Sequence, residues 1–199
     1  MPAPRKGSDS ARTARERIID AAGRLISTDG WRSVTMGKVA SAAGVSRQTV
    51  YNEAGNKAGL AALMVDHELS KAMRLVNEAF DAAPDNITEA VRGSVARVLR
   101  RASVSPLLTA IATASAGADS AFLPLLTTHG QVLLDSAKLV IRIRVAEHNL
   151  AMDADLLETM IDSIVRLVIS HMVQRTMTPE QVADNLASIV RHVVASQQV

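Results

Sequence analysis

The stretch GVSRQTVYNEAGNKAGL, residues 44–60, contains a turn followed directly by the start of a short helix. Gly44 allows a sharp turn, because glycine adopts positive φ angles without a steric penalty. Ser46 is a favourable helix N-cap directly after that turn. Two short segments with helical spacing, residues 35–42 and 46–53, flank the turn. Their spacing predicts a helix-turn-helix.

The second of these segments has side chains suited to the major groove of DNA. A protein that reads a duplex needs a helix with hydrogen-bonding side chains near its N-terminus and flanking donors for phosphates. Arg47 and Gln48 lie in the first turn and suit bidentate bonding to guanine and adenine. Ser46 precedes helix N–H groups that favour a phosphate, Thr49 offers a methyl or a hydroxyl, and Tyr51 offers a ring and a hydroxyl. Each residue alone is more often a solvated surface group, but their combination predicts a DNA-reading helix.

The distribution of charge also favours a polyanionic partner for the N-terminal part. Residues 1–57 contain ten Lys or Arg against five Asp or Glu, whereas the remainder contains 12 against 15. Thr35 and Lys38, at the start of the first short helix, are placed for phosphate contacts, and Lys57 adds a charge at the start of the next helix. A basic solvated face would give a similar composition, so charge alone leaves both interpretations open.

The longer stretch TMGKVASAAGVSRQTVYNEAGNKAGL, residues 35–60, resembles the DNA-binding signature of TetR-family transcriptional regulators. In that family a Thr opens the second helix, AGVS forms the turn, a T-[VL]-Y motif lies in the recognition helix, and a Lys follows six residues after the Tyr. The matching positions are Thr35, Ala43 to Ser46, Thr49 to Tyr51, and Lys57. The resemblance implies that the base readers are Arg47, Gln48 and Asn52, and that the phosphate contacts are Thr35, Thr49, Tyr51 and Lys57.

Two positions depart from the family's pattern. Ala54 stands three residues after the Tyr, where an aromatic residue is usual. If its surroundings are built for a Phe, the alanine leaves a cavity costing about 3 to 5 kcal/mol unless neighbours such as Trp31 or Met64 fill the space. Gly37 stands where family members often have a polar residue that contacts bases, so we expect specificity to depend more heavily on the third helix.

The rest of the chain predicts an all-α fold of about nine helices. Its 199 residues are 48% hydrophobic but only 2% aromatic, which favours helices packed by aliphatic side chains. The predicted helices span residues 10–29, 35–42, 46–53, 56–80, 87–101, 106–116, 120–147 with an interruption near residue 124 or 130, 153–174 and 179–196. Thr178, Pro179 and Gln181 predict a capping box at the last start. The predicted organisation is a flexible basic arm (1–9), a helix-turn-helix DNA-binding domain (10–55), and a helical effector-binding and dimerisation domain (56–199).

The last two predicted helices have more apolar surface than one core face requires. The first of them is apolar on more than one side, so it needs burial against its own domain and against a second surface. Two such helices from each subunit would form a four-helix dimer interface, and the alternative is a core helix of a monomer. The predicted interface residues are Leu157, Ile161, Val168, Val182, Leu186, Ile189, Val190 and Val193.

The middle region combines many apolar residues with few polar ones. This composition predicts an elongated apolar effector, such as a fatty acid, an acyl derivative or a hydrophobic drug, although ordinary core is the alternative explanation for each residue. The predicted pocket residues are Leu108, Ile111, Phe122, Leu126, His129, Leu133, Met160 and Ile164.

The sequence disfavours an enzyme. Its five histidines form no metal-binding spacing, it has no glycine-rich phosphate loop or nucleophile elbow, and it has no cysteine. We therefore predict no catalytic residue, no metal and no cofactor. No apolar run reaches the roughly 18 residues of a membrane span, so we expect a soluble cytoplasmic protein without a membrane partner.

These features together predict a sequence-specific DNA-binding regulator. The expected form is a homodimeric repressor that binds a near-palindromic operator on double-stranded DNA and is released by a small hydrophobic effector. The alternative is a helical dimeric interaction protein whose specific DNA binding is weak or lost, and Ala54 is the feature that favours it.

Overall fold

The computed structural model describes residues 12–113 and 130–197. Within those ranges the chain forms nine α-helices and no strand, so the prediction of an all-α fold is confirmed. The helices are α1 (Ala14–Ser33), α2 (Met36–Ala43), α3 (Arg47–Ala54), α4 (Lys57–Asp81), α5 (Ile87–Ser103), α6 (Pro106–Thr113), α7 (Gly130–Ala146), α8 (Ala154–Val173) and α9 (Pro179–Ser196). The predicted arm, residues 1–9, lies outside the described residues.

The chain divides into two compact units, and the division falls inside α4, between Met64 and Val65. The predicted boundary at residue 55 lies earlier, at the end of α3. The first turns of α4 belong to the N-terminal unit, where Leu60, Leu63 and Met64 are buried. An apolar stripe along one continuous helix does not reveal where its packing partners change.

Helices α1, α2 and α3 pack against one another in the N-terminal unit. Gly44 ends α2 in the left-handed region, with φ 64° and ψ 38°, and the predicted helix-turn-helix is confirmed. The Thr35 hydroxyl accepts a hydrogen bond from the Lys38 N–H at 3.2 Å and so caps α2. Both ends of α1 differ from the predicted range 10–29. The helix begins at Ala14 after the N-cap Thr13, and it passes through a kink at Gly30 (φ 73°) and continues to Ser33.

The C-terminal unit is organised around α5, which packs along α9 and also contacts α8 and α6. Helix α8 lies against α7 and α6 as well. The predicted capping box at the start of α9 is confirmed, with Pro179 in the first turn. There the Thr178 hydroxyl accepts from the Gln181 N–H at 3.2 Å, and the Gln181 side chain accepts from the Thr178 N–H at 2.9 Å.

Ion pairs join the exposed sides of α7 and α8. Arg142 donates two hydrogen bonds to Glu158, one of them at 2.7 Å, and this bonding lowers the pKa of the Glu158 carboxyl. Asp162 accepts from Arg166 at 2.6 Å and from Lys138 at 3.0 Å. The bond from Arg166, followed by that from Lys138, lowers the pKa of Asp162. Both carboxylates are therefore favoured in their charged forms.

Gly59 is required by close contact between backbone atoms at the start of α4. A Cβ atom at this position would lie 2.0 Å from the carbonyl oxygen of Ala54. We therefore expect Gly59→Ala to destabilise the N-terminal unit by about 1 to 3 kcal/mol or more, because the backbone has to shift. Trp31 is the single tryptophan of the chain and is buried in this unit, so its fluorescence during urea unfolding measures the effect.

Gly23→Ala is the matched control for that variant. A Cβ at Gly23 meets no atom within 4 Å, so the alanine should instead stabilise α1 by up to about 1 kcal/mol through its higher helix propensity. Equal stability of the Gly59→Ala and Gly23→Ala variants would contradict the proposed close contact.

Candidate nucleic-acid interface and apolar cavity

The helix α3 presents one buried side and one exposed side. Val50 and Ala54 face the core, with 0% and 8% of their surface exposed. Arg47, Gln48 and Asn52 are exposed, and Tyr51 is 49% exposed despite its large ring. The structure therefore brings the three predicted base readers to the solvent side of a single short helix.

The start of α3 is fixed by its cap. The Ser46 hydroxyl oxygen accepts from the Thr49 N–H at 3.0 Å and lies 2.8 Å from the Thr49 hydroxyl. One turn further along, the side-chain amide of Gln48 donates to the side-chain oxygen of Asn52 at 2.8 Å. These bonds restrict the rotamers of four of the predicted DNA contacts before any DNA is bound.

Thr35 and Lys38 lie exposed at the start of α2. The Lys38 ammonium is 3.8 Å from a carboxylate oxygen of Asp29, and both side chains are about half exposed. Such an exposed pair contributes about 0 to 1 kcal/mol, so a phosphate can replace the carboxylate at little cost.

Lys57 has a different environment from the one its predicted role implies. Its ammonium donates to the carbonyl oxygens of Trp31 at 2.8 Å and Arg32 at 3.1 Å. It also lies 5.0 Å from the centroid of the Trp31 ring, within the range of a cation–π contact. Lys57 is half-buried and ties the start of α4 to the last turn of α1.

The C-terminal unit contains a cavity of about 310 Å³, bounded by α4, α5 and α8 together with residues of α6, α7 and α9. Of the residues predicted for the pocket, Leu108, Ile111, Met160 and Ile164 line it. Phe122, Leu126 and His129 lie outside the described residues, as does the side chain of Leu133.

Sequence reasoning missed much of the cavity wall, including the contributions of α4 and α5. Polar side chains are few among the described lining residues, and those of Ser94, Glu68 and Arg101 already have protein partners. The Ser94 hydroxyl donates to the Ala90 carbonyl at 2.8 Å, and Arg101 donates to the Glu68 carboxylate at 2.9 Å. The apolar stripes of α4 and α5 were the available signal, but a stripe does not distinguish core from cavity.

The residues predicted for a dimer interface occupy several different environments. Ile161 is buried, and Leu157 and Val168 are half-buried against core clusters. On α9, Val182, Leu186 and Val190 are buried in the unit's own core, because this side of the helix packs on α5. Ile161, Val168 and Val190 also line the cavity. Ile189 is 49% exposed and Val193 is half-buried.

Exposed apolar side chains remain on α8 and α9. They are Leu167 and Ile169 of α8, which are 41% and 46% exposed, and Ile189 of α9. Leu167 and Ile169 are two positions apart and so lie on different sides of α8, and Ile169 also lines the cavity. Leu167 and Ile169 were not among the predicted interface residues.

The N-terminal unit contains a helix-turn-helix whose third helix has an exposed polar side, and the helical unit after it contains an apolar cavity. This combination defines a helical DNA-binding regulator. Residues 18–64 match the family model described as bacterial regulatory proteins, tetR family. Residues 86–192 match the model described as the bacterial tetracyclin repressor C-terminal domain. The chain belongs to the TetR family.

Individual relatives agree with this assignment. The chain is 31% identical over 180 residues to the HTH-type transcriptional regulator AlkX of Mycobacterium tuberculosis, covering 89% of this chain and 82% of that protein. The crystal structure of the TetR family repressor AlkX from Dietzia sp. strain DQ12-45-1b, described as implicated in biodegradation of n-alkanes, matches with a TM-score of 0.73 and 26% identity over 98% of both chains. SCO4454, a TetR-family regulator from Streptomyces coelicolor, shares the fold with a TM-score of 0.57, 23% identity and 98% coverage of both chains.

The predicted resemblance to the TetR family is thus confirmed. The chain is a DNA-binding transcriptional regulator and not an enzyme. In the part of the chain that the structure describes, no helix is long and apolar enough to cross a membrane, and no group of acidic or histidine side chains could hold a metal ion.

The contacts of Lys57 predict a stability effect in the absence of DNA. Lys57→Met removes two hydrogen bonds from an ammonium group to carbonyls, so it should lower the free energy of unfolding of the N-terminal unit by about 1 to 2 kcal/mol. Trp31 fluorescence in a urea titration of the free protein gives the measurement.

Lys38→Met is the control, since among the described residues its ammonium makes only the exposed pair with Asp29. It should change stability by less than about 0.5 kcal/mol. If the two variants are equally stable, Lys57 does not tie α4 to α1.

Proposed function

We propose that this regulator is a homodimeric repressor that binds a near-palindromic operator and leaves it when an elongated apolar effector enters the C-terminal unit. The observation that carries the proposal is the exposed polar row of α3, where Gln48 and Asn52 are already hydrogen-bonded to each other. Prearranged side chains bind with a smaller loss of conformational entropy than mobile ones.

In this proposal α3 enters the major groove of double-stranded DNA. Arg47, Gln48 and Asn52 bond to base edges, because all three are exposed on the same helix. The phosphate contacts come from the starts of α2, α3 and α4 and from the middle of α3. They are Thr35, Lys38, Ser46, Thr49, Tyr51 and Lys57. For Lys57 this contact requires the ammonium to bind a phosphate in addition to, or in place of, the carbonyls of α1.

The exposed apolar side chains of α8 and α9 support a dimer. Leu167 and Ile189 would be covered when the same helices of a second subunit pack against them. A two-fold dimer that holds its two reading helices about 34 to 36 Å apart reaches successive major grooves on one side of the duplex. The operator should therefore be a near-palindrome.

The cavity supports an apolar effector. Its volume of about 310 Å³ lies at the lower end of the range for small-molecule pockets, and the described residues of its walls are almost all aliphatic. The polar groups of Glu68, Arg101 and Ser94 are satisfied within the protein, so an apolar chain leaves none of them unpaired. A repressor implicated in n-alkane biodegradation is among the relatives, which is consistent with a ligand that has an alkyl chain.

Selection of duplexes from a random pool with the purified protein tests the DNA-binding part of the proposal. We expect a near-palindromic consensus, for which Arg47→Ala lowers the affinity by about 1 to 3 kcal/mol. Lys38→Ala is the control and should weaken binding to all sequences alike, with a smaller salt dependence. Full sequence selectivity of the Arg47→Ala, Gln48→Ala double variant would refute these base readers, and a monomer in sedimentation at micromolar concentration would refute the two-fold model.

Calorimetric titration with 1-octanol, 1-decanol and decanoate tests the effector part. If the chain enters the cavity, affinity should increase by about 0.8 kcal/mol for each added CH₂ group. Ile164→Trp should abolish that increase by filling the cavity, whereas Ile143→Trp, at a 57% exposed position on α7, should not. A bound ligand should also lower the operator affinity. The proposal is wrong if affinity is independent of chain length.

A further inference from the structure

Gly37, the second residue of α2, lies against the guanidinium group of Arg47. A Cβ atom built on Gly37 would be 3.3 Å from Arg47 Nη2 and 3.4 Å from Arg47 Cζ and Nε. The 3.3 Å distance is shorter than an ordinary van der Waals contact and the other two are at its lower limit, so the guanidinium fills the space directly beside Gly37. The contact joins the first turn of α2 to the first turn of α3.

The backbone does not require glycine at this position. The glycines with positive φ among the described residues are Gly30, Gly44 and Gly55, and Gly37 is not one of them. Glycine inside a helix is also less stable than alanine. The glycine therefore lowers the helix propensity of α2, and the feature it provides is space for the Arg47 side chain.

We propose that Gly37 is a specificity-determining position, which seats the Arg47 guanidinium against α2 and so sets the base pair that Arg47 reads. This inference rests on the proposed role of Arg47 as a base reader. A guanidinium fixes a base through two parallel hydrogen bonds, whose strength depends on both distances and both angles. Contact with a neighbouring helix restricts the position and the tilt of the planar guanidinium group.

A series of side chains at position 37 should displace the guanidinium by increasing amounts. The methyl group of Gly37→Ala requires a shift of a few tenths of an ångström, which the flexible Arg47 side chain can make. Gly37→Val adds two further carbon atoms and requires Arg47 to take another direction. The two variants should therefore change base selectivity in order of size.

The experiment measures the affinities of the wild-type protein and its variants for the operator recovered by selection, and for every single base-pair substitution in it. Arg47→Ala identifies the base pair that Arg47 reads. At that pair we expect Gly37→Val to reduce the discrimination against the other base pairs by a factor of about 5 to 100. Gly37→Ala should reduce it by a smaller factor. Discrimination at the other base pairs should stay the same.

Double variants separate an effect through Arg47 from a direct effect of the new side chain. In the Arg47→Ala background, Gly37→Ala and Gly37→Val should cause no further change in selectivity. Thermal unfolding followed by Trp31 fluorescence controls for folding, and Gly37→Ala should keep or raise the melting temperature. Gly23→Ala, which meets no atom within 4 Å, is the matched control and should leave DNA selectivity unchanged.

Each other outcome has a distinct meaning. If Arg47→Ala removes a base preference while both Gly37 variants keep it, the inference about Gly37 is overturned and the proposed role of Arg47 stands. If a Gly37 variant changes selectivity even without Arg47, the new side chain contacts DNA itself, and the inference is overturned as well. If Arg47→Ala keeps every base preference, the proposed base reader and the inference both fail.

Discussion

An eight-residue helix is too short to be stable alone in water, and α3 is such a helix. It persists because both ends are capped and one side is buried. Ser46 accepts from the Thr49 N–H at the start, the Gly55 N–H donates to the Tyr51 carbonyl at 2.8 Å at the end, and Val50 is fully buried. Every proposed base reader stands on this helix, so DNA recognition depends on how firmly it is held.

Ala54 bears directly on this constraint, because the family's usual aromatic residue at this position would be a large anchor. The alanine is 8% exposed, and its carbonyl oxygen lies 2.0 Å from the point where a Cβ on Gly59 would be. Backbone atoms of Ala54 and Gly59 therefore pack closely where α3 gives way to α4. The bonds from Lys57 to the α1 carbonyls hold the same end of α4. The small residue is therefore compatible with a firmly held reading helix.

The sequence predicts the local features well, because their causes lie within a few residues. The cap residues Thr35, Ser46 and Thr178 stand three positions before the N–H groups they bind, so the helix starts can be read directly. Partners far apart in the chain cannot be read in this way. Arg101 and Glu68 are 33 residues apart, and Lys57 and Trp31 are 26 apart. An apolar stripe shows that a helix side is covered, but it does not show what covers it.

Helix α8 illustrates that limit and bears on regulation. Its apolar residues have different environments: Ile161 is buried in the core and also lines the cavity, Ile164 is half-buried and lines the cavity, and Leu167 is exposed. For the proposed effector, regulation depends on the difference between its affinities for the DNA-binding state and for the released state, and not on its total affinity. Burying an alkyl chain of about ten carbons is worth about 8 kcal/mol, at roughly 0.8 kcal/mol per CH₂. Moving a two-state equilibrium from 1:99 to 99:1 requires about 5.5 kcal/mol of difference between the two states. Since about 5.5 kcal/mol is roughly two-thirds of about 8 kcal/mol, about two-thirds of the alkyl chain's contacts with the protein would have to be absent from the DNA-binding state. The cavity in that state therefore has to be largely closed to the ligand.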